Sequence, residues 1–353
     1  MKITALGVNS AFATGEYEQA LTIQQTVDVL KRLLHVQKTK ELSEEILSRE
    51  VQKLSRRMYV PRWQSNFLIE FDMPGKKGKS PYRLLIDAGA DVRHALKRTG
   101  FTSNDIDGVY LSHPHSDHIG GMEYLGLTTL FNPFYTPSKK QWLGEQFIAD
   151  KLFFEHYWWP KPPENTKPDL FIHRKVLEPI KRALGPGLDT VQGVPNVGLE
   201  TYFDLHLIGK QDNGELKTHE FQDGEGYWVL KPVFAMHVIS SSEEMASYGL
   251  SLEHSSGYNV LMPTDTQHMM PPQLEAHYRR ANRIYMDCET SQFPSGVHPH
   301  ISDLVNHMAP EIQKKCLLYH YDAYPQVPDG MFCGILQTGD VHSYPECMSL
   351  RNS

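Results

Sequence analysis

Residues 112–121 read Ser-His-Pro-His-Ser-Asp-His-Ile-Gly-Gly and place His113, His115, Asp117 and His118 close together in the chain. The run Gly108-Val-Tyr-Leu111 before them is apolar and reads as a buried strand, and Gly120-Gly121 marks a turn just beyond. In a loop leaving a strand end, alternate residues can face one centre while Asp117 and His118 face another. Packing these polar groups so closely is costly unless something neutralises and orients them, and a divalent cation does both. A His-rich surface loop is the plain alternative. The spacing directly after an apolar strand points instead to a metal site.

Further polar residues follow or end apolar runs downstream. His237 lies in Pro232-Val-Phe-Ala-Met-His-Val238, Asp265 follows Val260-Leu-Met-Pro-Thr264, and His320 follows Cys316-Leu-Leu-Tyr319. Each alone has an ordinary explanation: a satisfied core histidine, an Asx turn, a hydrogen bond to a neighbouring loop. Their order is more telling. Together with His-x-His-x-Asp-His, the opening run from Met1 to Phe12, Ser65-Asn-Phe-Leu-Ile-Glu70 and Tyr82-Arg-Leu-Leu-Ile-Asp-Ala-Gly89, they resemble the metallo-β-lactamase superfamily over most of the chain. The resemblance implies an α/β fold, the αββα four-layer sandwich with helical insertions, as a single domain over residues 1–353.

The same resemblance implies two adjacent metal sites. One takes His113, His115 and His237, the other Asp117, His118 and His320, and Asp265 bridges them. Imidazole nitrogens suit Zn²⁺, and a mixed nitrogen and carboxylate set also admits Mn²⁺. Two divalent metal ions, Zn²⁺ by default, are therefore expected. Cations about 3.5–4 Å apart can share a water and lower its pKa towards about 7, so hydrolysis by metal-bound hydroxide is the expected reaction. Asp117 is counted with the catalytic residues as well as with the ligands.

The bond cleaved needs separate support. Ile284-Tyr-Met-Asp-Cys-Glu-Thr290 and Gly296-Val-His-Pro-His-Ile-Ser-Asp-Leu304 resemble the phosphodiesterase branch of the superfamily. That branch contains tRNA 3′-processing endonucleases and cyclic-nucleotide phosphodiesterases, and it places an extra catalytic histidine ahead of the final ligand. His300 matches that place best, with His298 as the alternative. Either could neutralise phosphate charge or help the leaving oxygen. The competing explanation is that His298-Pro-His300 caps a helix that begins near Ser302. Asp287 and Glu289 either orient a ligand histidine or are ordinary strand-end carboxylates.

Thirty-five basic against 42 acidic side chains give a formal net charge of −7. An enzyme that tracks many phosphates gains affinity by releasing counterions and is expected to be basic. Small phosphodiesters such as cyclic nucleotides are thus favoured over extended nucleic acid. A thioester, lactone or carboxylic ester is the alternative substrate class, tRNA 3′-processing a further one, and a non-hydrolytic ligand-binding protein the alternative from another class. Cys288, Cys316, Cys333 and Cys347 are widely spaced without a CxxC pair, as reduced thiols would be. No apolar run reaches the roughly 20 residues of a membrane span. The opening stretch is broken by Gly7 and Asn9, unlike a secretory signal, so a cytoplasmic enzyme is expected.

Surplus length falls in two places. Within residues 17–60, Leu21, Val27, Leu30 and Leu34, then Ile46, Leu47, Val51 and Leu54, recur at helical spacing and predict two inserted helices. These either pack on their own domain or form a dimer arm or lid. Residues 131–207 are expected to be a second insertion, with Phe153-Phe-Glu-His-Tyr-Trp-Trp-Pro160 and a proline-rich run to Pro168. Its aromatics would anchor a helix or offer a stacking face for a base. The resemblance further implies a homodimer.

Overall fold

The computed structural model describes residues 1–11, 63–76, 78–130, 167–191, 196–239, 244–267, 272–322 and 324–345. Contacts divide the chain into two units, Met1–Ala11 with Trp63–Ser353, and Phe12–Arg62. The second unit, and with it the helices expected within 17–60, lies outside the described residues.

In the first unit, short apolar runs become strands of two sheets. The first contains β1 (Lys2–Gly7), β2 (Asn66–Phe71), β3 (Tyr82–Ile86), β4 (Gly108–Leu111), β5 (Asp169–His173), β6 (Asp204–Lys210) and β7 (Leu216–Lys217) in that order. The second contains β8 (His219–Asp223), β9 (Gly226–Ile239), β10 (Glu244–His254), β11 (Asn259–Met262), β12 (Arg283–Asp287), β13 (Cys316–Tyr319) and β14 (Gly334–Ile335). The last strand, β15 (Val341–Ser343), returns to pair with β1 at the edge of the first sheet. Strands β3 to β6 run parallel, as do β11 to β14, and β4, β5, β11 and β13 are buried along their whole length. That is why they read as continuous apolar runs without alternation.

Three apolar clusters give the layers. Phe67, Ile69, Phe71, Leu84, Trp228, Leu230, Leu250 and Leu252 fill the space between the sheets, where the Phe71 and Phe221 rings stack at 4.3 Å. Outside the first sheet lie α1 (Val92–Arg98), α2 (Ser116–Ile119), α3 (Met122–Leu130), α4 (Arg174–Leu188) and α5 (Leu199–Tyr202), packed through Leu96, Met122, Leu125, Val176 and Ile180. Outside the second lie α6 (Pro272–Arg280), α7 (Ile301–His307) and α8 (Pro310–Gln313), packed through Leu274, Leu304 and Ile312. This is the expected αββα sandwich. Among the described residues no helix is long and apolar enough to cross a membrane.

The second expected insertion needs correction. The C-terminal part of residues 131–207 supplies β5, paired in parallel with β4, then α4 and the start of β6. Asp169-Leu-Phe-Ile-His173 is a short apolar run of the kind that fills a parallel sheet, so this part belongs to the sandwich itself. The aromatic and proline-rich residues 131–166 lie outside the described residues.

The parallel strands end on one rim, where loops carry side chains from both sheets. Tyr248 N donates to Ser112 O at 3.0 Å and Tyr110 Oη donates to Tyr248 O at 2.7 Å, tying β4 to β10. His320 N donates to Val8 O at 2.6 Å, tying the exit of β13 to that of β1.

Candidate metal centre

Strand β4 is wholly buried, and the chain leaves it through Ser112 and His113, both without solvent exposure. His115 then takes an extended N-cap conformation at the start of α2, whose single turn points Asp117 and His118 into the protein. The turn is pressed against the loop after β3. A Cβ on Gly89 would lie 2.3 Å from Asp117 O, so only glycine fits. From the second sheet, β9 brings His237 on the same buried face as Val233 and Ala235, by the period-two alternation of a strand. Asp265 stands just past β11 and His320 just past β13, each nearly fully buried.

These side chains converge in two groups. In the first, His115 Nδ1 lies 3.0 Å from His113 Nε2 and 3.1 Å from His237 Nε2, and both of those nitrogens lie 3.7 Å from Asp265 Oδ2. In the second, His118 Nε2 lies 3.3 Å from Asp117 Oδ2 and 3.2 Å from Asp265 Oδ2, while His320 Nε2 lies 3.6 Å from Asp117 Oδ2 and from Asp265 Oδ1. Asp265 belongs to both groups, and the donor atoms of each group lie within 4.8 Å of one another. A third group of the same size joins Asp265 and His320 to Asp287 and His298.

The backs of several rings are held as well. Asp87 Oδ2 accepts from His118 Nδ1 at 2.8 Å, while its carboxylate also accepts from Ser112 N at 2.9 Å and Ser112 Oγ at 2.8 Å. Val297 O accepts from His237 Nδ1 at 3.0 Å. Asp287 accepts from His298 Nδ1 at 2.8 Å and Thr266 N at 3.1 Å, with His320 Nδ1 3.3 Å away. A nitrogen engaged behind the ring leaves the other free to present a lone pair inward. The backbone is strained at the same places. Asp87, Thr264 and His320 all have φ near +60°, a conformation that costs energy in residues other than glycine.

Electrostatics divide the imidazoles into two kinds. Burial pushes His113 well below its ordinary pKa and His237 down to about 4, so both are neutral. Burial also disfavours charge on His118 and His320, but Asp265, with Asp117 at one ring and Asp287 at the other, outweighs it and raises both well above 6.5. Burial opposes ionisation of Asp117, yet His118 and His320 hold its carboxyl well below the usual range. Protons and cations thus compete for the same lone pairs. His118 Nε2, His320 Nε2 and Asp265 Oδ1 are buried with no hydrogen-bond partner, an arrangement that costs about 1–3 kcal/mol per group when nothing satisfies it. Five imidazoles and two carboxylates, arranged about a shared aspartate, fit a pair of divalent cations of the zinc or manganese type.

Of the two candidates for the extra histidine, the alternative, His298, and not the preferred His300, stands beside the cluster. His300 stands away from the cluster as the N-cap of α7: its Nδ1 accepts from Ser302 N at 3.2 Å, and its Nε2 lies 3.1 Å from Ser291 O. It is His298 that packs against the ligand rings, 5.0 Å from His237 and 4.7 Å from His320 between centroids. The reason is local. Ser302-Asp-Leu opens a helix whose first amides need an acceptor, and His300 supplies it. Of the two alternatives for Glu289, its hydrogen bonds fit the strand-end carboxylate: it bonds Ser291 and Ser295 and none of the cluster histidines. Asp87 enters the sequence reading only as a landmark of the resemblance, without a role, and Val297 O does not enter it. Asp87 carries a signal in its Asp-x-Gly context, whereas a backbone carbonyl carries none.

Fold and site together define a metallo-β-lactamase-fold protein. The metallo-β-lactamase fold protein YhfI from Bacillus subtilis aligns over 97% of this chain and 98% of its own, with a TM-score of 0.50 at 14% identity. A diphosphatase of the PhnP family aligns over 97% of each chain, with a TM-score of 0.51 at 15% identity. The sequence profile of the Anti-Pycsar protein Apyc1 family matches residues 58–157 and 149–341, and the chain belongs to that family. The Anti-Pycsar protein Apyc1 of Bacillus phage 010DV004 is 25% identical over 261 residues, 73% of this chain and 82% of the relative.

Proposed function

We propose that the protein is a dinuclear metal-dependent phosphodiesterase acting on a cyclic nucleotide or another small phosphodiester. The observation that carries this reading is the convergence of His113, His115 and His237 with Asp117, His118 and His320 about a shared Asp265, with His298 beside them. Family membership and the fold support a hydrolase. The relatives' name, anti-Pycsar protein, carries a role against Pycsar, and we extend that role to this chain.

In this reading the two groups of donors hold two divalent cations, Zn²⁺ by default with Mn²⁺ as the alternative. When bound, such a pair supplies Lewis acidity towards phosphoryl oxygens and a water made acidic enough to react near neutral pH. The chain's own residues do the rest. Asp87, Val297 O and Asp287 fix the ring orientations of His118, His237 and His298, so the inward lone pairs are set before substrate arrives. His298 is partly open, as His115 is, with 16% of its side chain exposed against 2% or less for His118, His237 and His320. Its Nδ1–H is spent on Asp287, which leaves Nε2 to pass a proton to the departing alkoxide. Burial opposes protonation of His298, but Asp287 raises its pKa above the ordinary value, as a proton donor at neutral pH requires. His298 therefore takes the role that the sequence suggested for His300.

The net charge of −7 favours a small substrate over one that tracks a polyphosphate backbone. The reading includes a cytoplasmic location and a homodimer, and light scattering on the purified protein tests the dimer. The decisive experiment is a substrate panel with Zn²⁺ and with Mn²⁺: bis-p-nitrophenyl phosphate, cyclic nucleotides, S-lactoylglutathione and acyl-homoserine lactones. Turnover of the phosphodiesters, with two metal equivalents bound, is the expected result. Turnover confined to the thioester or lactones would refute the substrate class, and a single bound equivalent after full loading would refute the dinuclear centre.

A further inference from the structure

The loop between β12 and α7 carries His298 to the cluster and Val297 O to His237. Residues 292–296 of that loop are exposed, Phe293 at its tip by 81%, so apolar burial does not fix its path. Polar contacts at its base do. Glu289, only 7% exposed, accepts from Ser295 N through both carboxylate oxygens at 2.9 Å, from Ser295 Oγ at 3.0 Å and from Ser291 Oγ at 2.6 Å. Its backbone closes the loop, with Glu289 N donating to Pro299 O at 2.9 Å and Ile301 N donating to Glu289 O at 2.8 Å.

His300 grips the same loop from the other end. Because its Nδ1 accepts from Ser302 N, its Nε2 carries the proton and donates it to Ser291 O at 3.1 Å. Neither Glu289 nor His300 has a hydrogen bond or ion pair to the two donor groups. Their effect passes through a short series of contacts: Ser295 Oγ, bound to Glu289, accepts from Val297 N at 3.2 Å, and Val297 O accepts from His237 Nδ1 at 3.0 Å. The next residue is His298, held by Asp287 at 2.8 Å.

We propose that Glu289 and His300 are a pair of positioning residues: they clamp the 290–299 loop so that Val297 O orients His237 and His298 stays against Asp287. This rests on the reading of the site as a metal-dependent hydrolase. Carboxylates and carbonyls that orient metal-binding imidazoles typically change affinity or activity by about 10–100-fold when lost. Glu289 and His300 act one contact further out, on the loop as a whole.

The test uses the full-length, zinc-loaded protein with bis-p-nitrophenyl phosphate, and zinc affinity measured by chelator competition. Glu289→Ala is expected to lower kcat about 10–100-fold with KM within about 2-fold of the parent, and to weaken zinc binding. Glu289→Gln, of equal volume, should be impaired less, and His300→Asn, which keeps a cap for Ser302 N but loses the link to Ser291 O, should resemble it. If Glu289 works through His298, the Glu289→Ala/His298→Ala double variant should lose little more than His298→Ala alone. Multiplying losses with parental zinc affinity, or a Glu289→Ala protein with parental kcat and zinc affinity, would overturn the proposal. Should Glu289→Ala not fold, judged by its circular dichroism melt, Glu289→Gln carries the same comparison. A fully active His298→Ala protein would instead overturn the role of His298, and zinc affinity would still decide the clamp through His237.

Discussion

Asp87 combines burial, charge and a left-handed backbone at one position, with φ at +57° and 3% exposure. Three donors compensate: Ser112 N, Ser112 Oγ and His118 Nδ1. The outcome is a His118 ring with its proton fixed on Nδ1 and Nε2 facing Asp117 and Asp265. Asp87→Asn keeps the shape and tolerates the positive φ, but it weakens the acceptor for His118. It is expected to reduce zinc affinity by about 10–100-fold, measured by competition with a chromophoric chelator. Unchanged affinity would mean that the His118 ring is held by packing alone. At this scale the sequence marks the candidate donors, because they follow or end apolar runs that become strands. It was uninformative about Asp87's partner, which lies 31 positions away.

At the scale of elements, the junction of β5 and α4 shows how a buried histidine can serve structure alone. His173 ends the strand, caps the helix by accepting from Lys175 N at 3.3 Å, and stacks on the Tyr248 ring with centroids 3.5 Å apart. Burial, with Lys175 and Arg174 adding to it, pushes its pKa down to about 4. The sign of the consequence follows directly. Between pH 6.5 and about 4 the unfolded chain binds a proton that folded His173 refuses, so its contribution to stability is complete above 6.5 and declines as the pH falls. His173→Asn retains a capping acceptor without the titration. Thermal melts from pH 7 to 4 should therefore show a shallower acid loss in the variant than in the parent, and parallel curves would rule the effect out. The sequence places this junction in an insertion, because a five-residue apolar run carries too little pattern to mark a strand of the sandwich. Parallel pairing with β4 settles it.

Over the whole molecule, the site depends on two sheets being held face to face. His113, His115, Asp117 and His118 come from the first sheet, and His237, Asp265 and His320 from the second. Trp228 is fully buried between them, with its Nε1 donating to Asp223 Oδ2 at 2.8 Å. Trp228→Ala should cost about 3–5 kcal/mol, read from the midpoint of denaturant unfolding, because it removes a large buried ring and leaves a cavity that rigid strands cannot close. A loss below 1 kcal/mol would show that the inter-sheet layer adapts far more than its packing suggests.

Through the resemblance it carries, the amino-acid sequence by itself pointed to the sandwich and to the candidate donor residues. Short apolar runs and the polar residues placed just beyond them are local properties, legible within a few positions of each residue. Only the tertiary structure decided what each imidazole faces. His298 and His300 are two residues apart, and the helix entry at Ser302 offers a cap site without deciding which of the two reaches the cluster. The helix claimed His300 for its unsatisfied amides, while Asp287 at the end of β12 held His298 against the cluster. Side-chain direction is set by backbone dihedrals and by partners distant in the chain, and those exist only once both sheets have closed on each other.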